Sequence, residues 1–148
     1  MNARPLGLAG VTVLLAALLI GCDQLPQAAA DLAVGECFAQ PSTTTDITEV
    51  QRRPCADAHD AEVFAVLTHP AGSDVAYPII SGVDDFVEEQ CVPLFKTYTG
   101  LDIDGQDELD MGWFWPTLQG WRDGDREVTC YLTAREGQLT GSRRAATP

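Results

Sequence analysis

The most regular alternation of apolar and polar positions runs from Arg126 to Thr133. Arg126, Val128, Cys130 and Leu132 fall on one face, and Glu127, Thr129, Tyr131 and Thr133 on the other. Side chains of a strand point to opposite faces in turn, so this period of two predicts a strand. Ile47 to Arg53 alternates more weakly and stops at Pro54, which cannot donate to a ladder. Between Glu62 and Leu67 both faces are apolar, with Val63, Ala65 and Leu67 set against Phe64 and Val66. That pattern predicts a strand covered on both sides. Leu109 to Pro116 is strand-like again, with Met111, Trp113 and Trp115 on one face.

The period lengthens between Val83 and Tyr98. Val83, Phe86, Val87, Cys91, Leu94, Phe95 and Tyr98 keep helical spacing, and Gly100 ends the pattern. Ser81-Gly-Val-Asp84 has the form of a capping box, and Pro93 predicts a kink or a restart within the helix. Asp84, Asp85, Glu88 and Glu89 make a solvated outer face. Loops are predicted at Pro41 to Asp46, after His69-Pro70, and across the acidic stretch Asp102 to Asp110. A turn is predicted from Pro116 to Asp125, and Gln138 to Ser142 reads as a short last strand. The expected fold is α+β: a small antiparallel sheet packed by one main helix and held by two disulfides.

The start of the chain changes the picture. Arg4 precedes an apolar run from Leu6 to Ile20, and Leu19-Ile20-Gly21-Cys22 follows. This resembles a bacterial lipobox, in which the cysteine is acylated with palmitate-type chains and becomes the mature N-terminus. Residues 1–21 are therefore expected to be a lipoprotein signal peptide, and 22–33 a lipid-anchored tether. Residues 34–144 are expected to form the domain and 145–148 a tail. The implied location is the extracytoplasmic face of the cell membrane, with Cys22 as the lipid site.

The net charge of −13 opposes phosphate backbones and anionic headgroups, which excludes nucleic acid as a favoured ligand. Setting Cys22 aside leaves Cys37, Cys55, Cys91 and Cys130, an even set that suits disulfides in an exported protein. Four cysteines allow three connectivities, and Cys55-x-x-x-His59 is a competing zinc-ligand pair.

Three ordered motifs carry a family resemblance: Val34-Gly35-Glu36-Cys37-Phe38, Cys55-x-x-x-His59-Asp60-Ala61-Glu62-Val63, and Trp121-x-x-Gly124-Asp125-Arg126-x-Val128-x-Cys130. Leu139-Thr140-Gly141-Ser142 completes them. Together they resemble the septum-formation-related domain of bacterial envelope proteins, with Glu36 where that family more often shows Asp. The resemblance implies a link to cell division and brings no defined reaction.

The residues themselves give two candidate sites. His59 with Asp57, Asp60 and Glu62 has the composition of an acid–base or metal cluster. On a continuous strand, however, His59 and Glu62 point to opposite faces. The expected roles are therefore structural, for His59, Asp60 and Glu62 as for Trp121, Gly124, Asp125 and Arg126, with Asp60 or Glu62 pairing with Arg126. Trp113 and Trp115 are either core or a binding surface.

Neither a metal, nor a cofactor, nor enzyme activity is expected. The expected function is that of a non-catalytic envelope module acting in septum formation or wall assembly through a protein partner. The alternative is a ligand-binding lipoprotein or hydrolytic enzyme using the His59 region. The expected disulfides are Cys37–Cys55, across the opening segment, and Cys91–Cys130, joining the helix stripe to the strand face of Val128 and Leu132.

Overall fold

The computed structural model describes residues 26–40 and 49–146; the expected signal peptide, Cys22 and the predicted loop at Pro41 to Asp46 lie outside them. The strands are β1 (Pro26–Ala28), β2 (Cys37–Ala39), β3 (Glu49–Arg53), β4 (Ala61–Thr68), β5 (Leu109–Phe114) and β6 (Glu127–Ala134). They form one antiparallel sheet in the order β1-β3-β2-β4-β6-β5. The long helix α1 (Ile80–Thr99) and the short helix α2 (Leu118–Arg122) complete the fold.

The helix packs on one face of the sheet. Val87, Cys91, Phe95 and Tyr98 of α1 are buried against Phe64, Ala65, Leu109, Val128, Cys130 and Leu132. This is the stripe and strand face that the two periods predict. The other face gathers Phe38, Val50, Ala61, Val63 and Tyr131, with Phe114 packed against them. Gly112 stands opposite Tyr131 across β5 and β6. A Cβ there would lie 2.5 Å from the tyrosine ring, so only glycine lets the ring lie over that strand.

Five local expectations need correction. Residues 26–32 are not mere tether: β1 pairs with β3, and Ala29 and Leu32 are buried on the second face of the sheet. Apolar side chains in an alanine-rich stretch found a sheet face to cover, which overrides its spacer-like composition. The capping box does not form, because α1 begins at Ile80 with Ile79 as its cap and no side-chain bond there. Ser81 is thus already helical.

The helix is continuous through Pro93, so it does not restart there, and the missing N–H falls on an exposed position. Residues 116–125 contain α2, capped by Thr117, whose hydroxyl accepts from the Gly120 N–H at 2.9 Å. The last strand shrinks to a single bridge between His59 and Leu139.

The alternation in β4 also breaks. Its register against β6 slips between Val63 and Ala65, the signature of a β-bulge. Val63 and Val66 therefore share the second face, while Phe64, Ala65 and Leu67 all pack toward the helix. One extra residue reverses the facing of everything beyond it.

Candidate functional site

Cys37 and Glu62 are direct register partners on β2 and β4, so both project from the helix-side face. His59 lies just before β4. Its backbone makes the bridge to Leu139, with N–H···O distances of 3.0 and 2.8 Å. Asp60 turns the chain outside the ladder; its carboxylate accepts from the Gln40 N–H at 2.9 Å and from Gln138 Nε2 at 2.8 Å. That turn breaks the strand parity on which the opposite-face expectation rested. His59 and Glu62 are brought together, not apart. Cys37 Sγ, a ring nitrogen of His59 and a Glu62 oxygen all lie within 4.8 Å of one another.

All three residues are buried, His59 and Glu62 completely and Cys37 to 2% exposure. The Glu62 carboxylate receives the Tyr98 hydroxyl at 2.6 Å, the Ser142 hydroxyl, and the Arg143 N–H at 2.7 Å. Burial, and then the bond to Glu62, push the Tyr98 hydroxyl above its ordinary value of 10.0, so it stays a donor. His59 Nδ1 lies 2.9 Å from the Asp57 carbonyl and must carry the proton to bond it. Nε2 is then left with a lone pair and has no partner among the described residues. Cys37 is bonded to Cys55, with Cα atoms 5.2 Å apart. Cys91 is bonded to Cys130 at 6.2 Å, stapling α1 to β6 inside the core.

The second candidate cluster sits at the other end of β6. Arg126 pairs with neither Asp60 nor Glu62. Its guanidinium donates to the carbonyls of Trp121 and Asp125 at 2.7 Å and of Ala71 and Gly72 at 3.1 Å. It also lies 3.7 Å over the Trp121 ring, a cation–π contact. Gly124 takes a φ of +97°, which lets the turn bring the Trp121 and Asp125 carbonyls to the same cation. The Asp125 carboxylate accepts the Glu127 N–H at 2.9 Å. Trp121, Gly124, Asp125 and Arg126 thus form a turn that grips the loop 71–75.

His69, which the sequence suggested only as a turn residue, is central to this cluster. Its ring centroid lies 4.7 Å from Phe86, 5.2 Å from Trp121 and 5.4 Å from Trp115. Burial, and then the Arg126 charge, hold its pKa below the ordinary 6.5. Its position two residues from Ala71, whose N–H bonds Nδ1 at 3.1 Å, was the local signal available. Trp113 and Trp115 are half-buried and pack against the helix-side core.

The sheet, the single long helix and the two disulfides define a small stapled α+β domain, with its polar motif residues turned inward. Residues 34–147 match the family described as septum formation, and the chain belongs to that family. Its role is accordingly related to septum formation. Comparison with curated proteins and with solved structures finds no match. No helix among the described residues is long and apolar enough to cross a membrane.

Proposed function

We propose that this chain is a non-catalytic module, lipid-anchored through Cys22 on the extracytoplasmic face of the cell membrane, that serves septum formation or wall assembly by holding another protein. The observation that carries this reading is an exposed apolar corner. Val75 is 51% exposed, Ile79 76%, Ile80 81% and Leu118 48%. The corner is held rigid, since Trp121 Nε1 donates to the Val75 carbonyl at 2.9 Å and the Tyr77 hydroxyl to the Pro116 carbonyl at 3.0 Å. Apolar side chains grouped on a fixed surface mark contact sites.

The chemistry of the partner follows from the surroundings. Asp84, Asp85, Glu88 and Glu89 are exposed on the first turns of α1, beside Ile79 and Ile80. The complementary surface is a protein with an apolar centre flanked by lysine or arginine. Anionic lipid and nucleic acid are repelled by the same acids. The inward engagement of Glu62, Arg126 and His59 supports a module over a hydrolase, because a fully buried histidine cannot reach a substrate.

A photo-reactive residue in place of Ile80, activated in intact cells, tests this. The expected adduct is with a protein of the division or wall-assembly machinery, and Ile79→Asp should abolish it. Adducts with lipid alone, or none, would refute the contact. For the anchor, Cys22→Ser should move the protein to the soluble fraction or leave its signal uncleaved; normal processing and unchanged membrane association would refute it.

A further inference from the structure

We propose that the Cys37–Cys55 disulfide closes a redox-gated zinc site, whose ligands after reduction are the Cys37 and Cys55 thiolates, His59 Nε2 and the Glu62 carboxylate. This goes beyond the contact function and does not depend on it. Among the described residues, no other group of three His, Cys, Asp or Glu residues has its ligand atoms brought together in this way.

Four features point to a metal. The His59 Nδ1–H is committed to the Asp57 carbonyl, the outer contact that fixes a ligating histidine with Nε2 free. That Nε2 is completely buried and has no partner among the described residues, which is costly unless something binds it. The Glu62 carboxylate is oriented by three donors, and a carboxylate has about four lone-pair sites, so one remains. Cys55 is bonded to Cys37, which places a fourth sulfur next to one of the three clustered ligands. Zinc binds such sulfur, nitrogen and oxygen donors at about 2.0–2.3 Å in a tetrahedron. The ligand atoms of Cys37, His59 and Glu62 lie within 4.8 Å of one another and need only a short inward movement, and cleavage of the disulfide frees Cys55 to swing toward them.

Charge explains why reduction and metal go together. In the oxidised state the group carries the single negative charge of Glu62. Two buried thiolates without a cation would raise this to three, which burial strongly opposes. A divalent cation returns the total to one.

Access is from the Cys55 side. Cys55 is partly exposed and opens on a cleft of about 170 Å³ lined by Gly35, Glu36, Arg52 and Arg53. A thiolate of a dithiol reductant attacks Cys55 Sγ, and Cys37 leaves as a thiolate. The reductant's second thiol then releases Cys55 and closes the reductant's own disulfide. Two electrons thus pass from the dithiol to the protein. Zn²⁺ binds the freed sulfurs, and their protons go to solvent. By contrast Cys91 and Cys130 are both completely buried and have no histidine beside them in any such group.

The test uses the mature full chain, oxidised or reduced with dithiothreitol, exposed to Zn²⁺ or Co²⁺ and desalted without oxygen. The reduced chain should retain one zinc per molecule and gain melting temperature, and the oxidised chain should retain none. With Co²⁺ the reduced wild type should show thiolate-to-metal charge-transfer absorption, a readout that needs no variant to fold. His59→Gln and Glu62→Gln should each weaken zinc at least tenfold, whereas Cys91→Ala/Cys130→Ala should retain it. Zinc held equally by the oxidised chain, zinc held by Cys37→Ser/Cys55→Ser, or none held by the reduced wild type would each overturn the proposal.

Discussion

Glu62 and Arg126 are buried residues of opposite charge at opposite ends of the β4–β6 pair, and they do not meet. Glu62 is satisfied by two hydroxyls and one backbone N–H. Arg126 is satisfied by four backbone carbonyls and an indole face. Neither has an ion-pair partner among the described residues. A buried ion pair would join two side chains; these two instead each fasten a loop. Glu62 holds residues 142–143, and Arg126 holds residues 71–72 and 121–125. In this small domain, buried charge fastens backbone that lies outside the sheet.

The comparison can be broken from either side. Glu62→Ala should have the largest effect, because it strands three donors in a dry site. We expect about 3–4 kcal/mol lost in chemical denaturation, with residues 139–146 gaining hydrogen exchange. Arg126→Met removes the guanidinium from over Trp121 and frees four carbonyls, and should cost about 2–3 kcal/mol, with exchange rising in residues 70–75 instead. Ser142→Ala removes one of three donors and should cost about 1 kcal/mol. If Glu62→Ala and Arg126→Met loosen the same segment, the two groups are not separate fasteners.

Titration sharpens the contrast, since the two ends respond to opposite extremes. The His69 pKa beside Arg126 is depressed below 6.5. As pH falls through 6.5, the unfolded chain takes up a proton that the folded chain resists, so stability declines on the acid side. Tyr98 beside Glu62 is raised above 10.0. As pH climbs past 10, the unfolded chain loses a proton that the folded chain keeps, so stability declines on the alkaline side as well. His69→Phe should flatten only the acid limb of a plot of melting temperature against pH, and Tyr98→Phe only the alkaline limb.

Much of the sheet and helix was legible, because periods of two and of three to four report burial directly. Val128, Cys130 and Leu132 took the face their spacing gives them, and Cys91 met Cys130 for the same reason. What escaped depends on one-residue events. The bulge at Phe64 carries no sequence signal, since Val63-Phe64-Ala65-Val66 is apolar whichever way each faces. The turn at Asp60 brought His59 to Glu62 against simple parity. Charge is visible in a sequence, so Arg126 reads as the partner of a carboxylate, whereas the carbonyls that serve it belong to every residue. The aromatic setting of His69 carries no local signal, because its neighbours come from three separate segments.

The segment 139–145 also decides when the domain can finish folding. Leu139 bridges His59, the Gly141 N–H bonds the Cys55 carbonyl at 2.7 Å, Ser142 and Arg143 close over Glu62, and the Ala145 N–H bonds the Tyr98 carbonyl at 2.7 Å. A chain emerging from its N-terminus therefore holds an open seam beside β4 until residues 139–145 are made. Until then Glu62 has no reason to leave water, and the helix-side core stays unsealed. These residues act as the clasp that turns a loosely collapsed chain into a closed one, so a truncation before Ser142 should leave a protein that collapses without completing its fold.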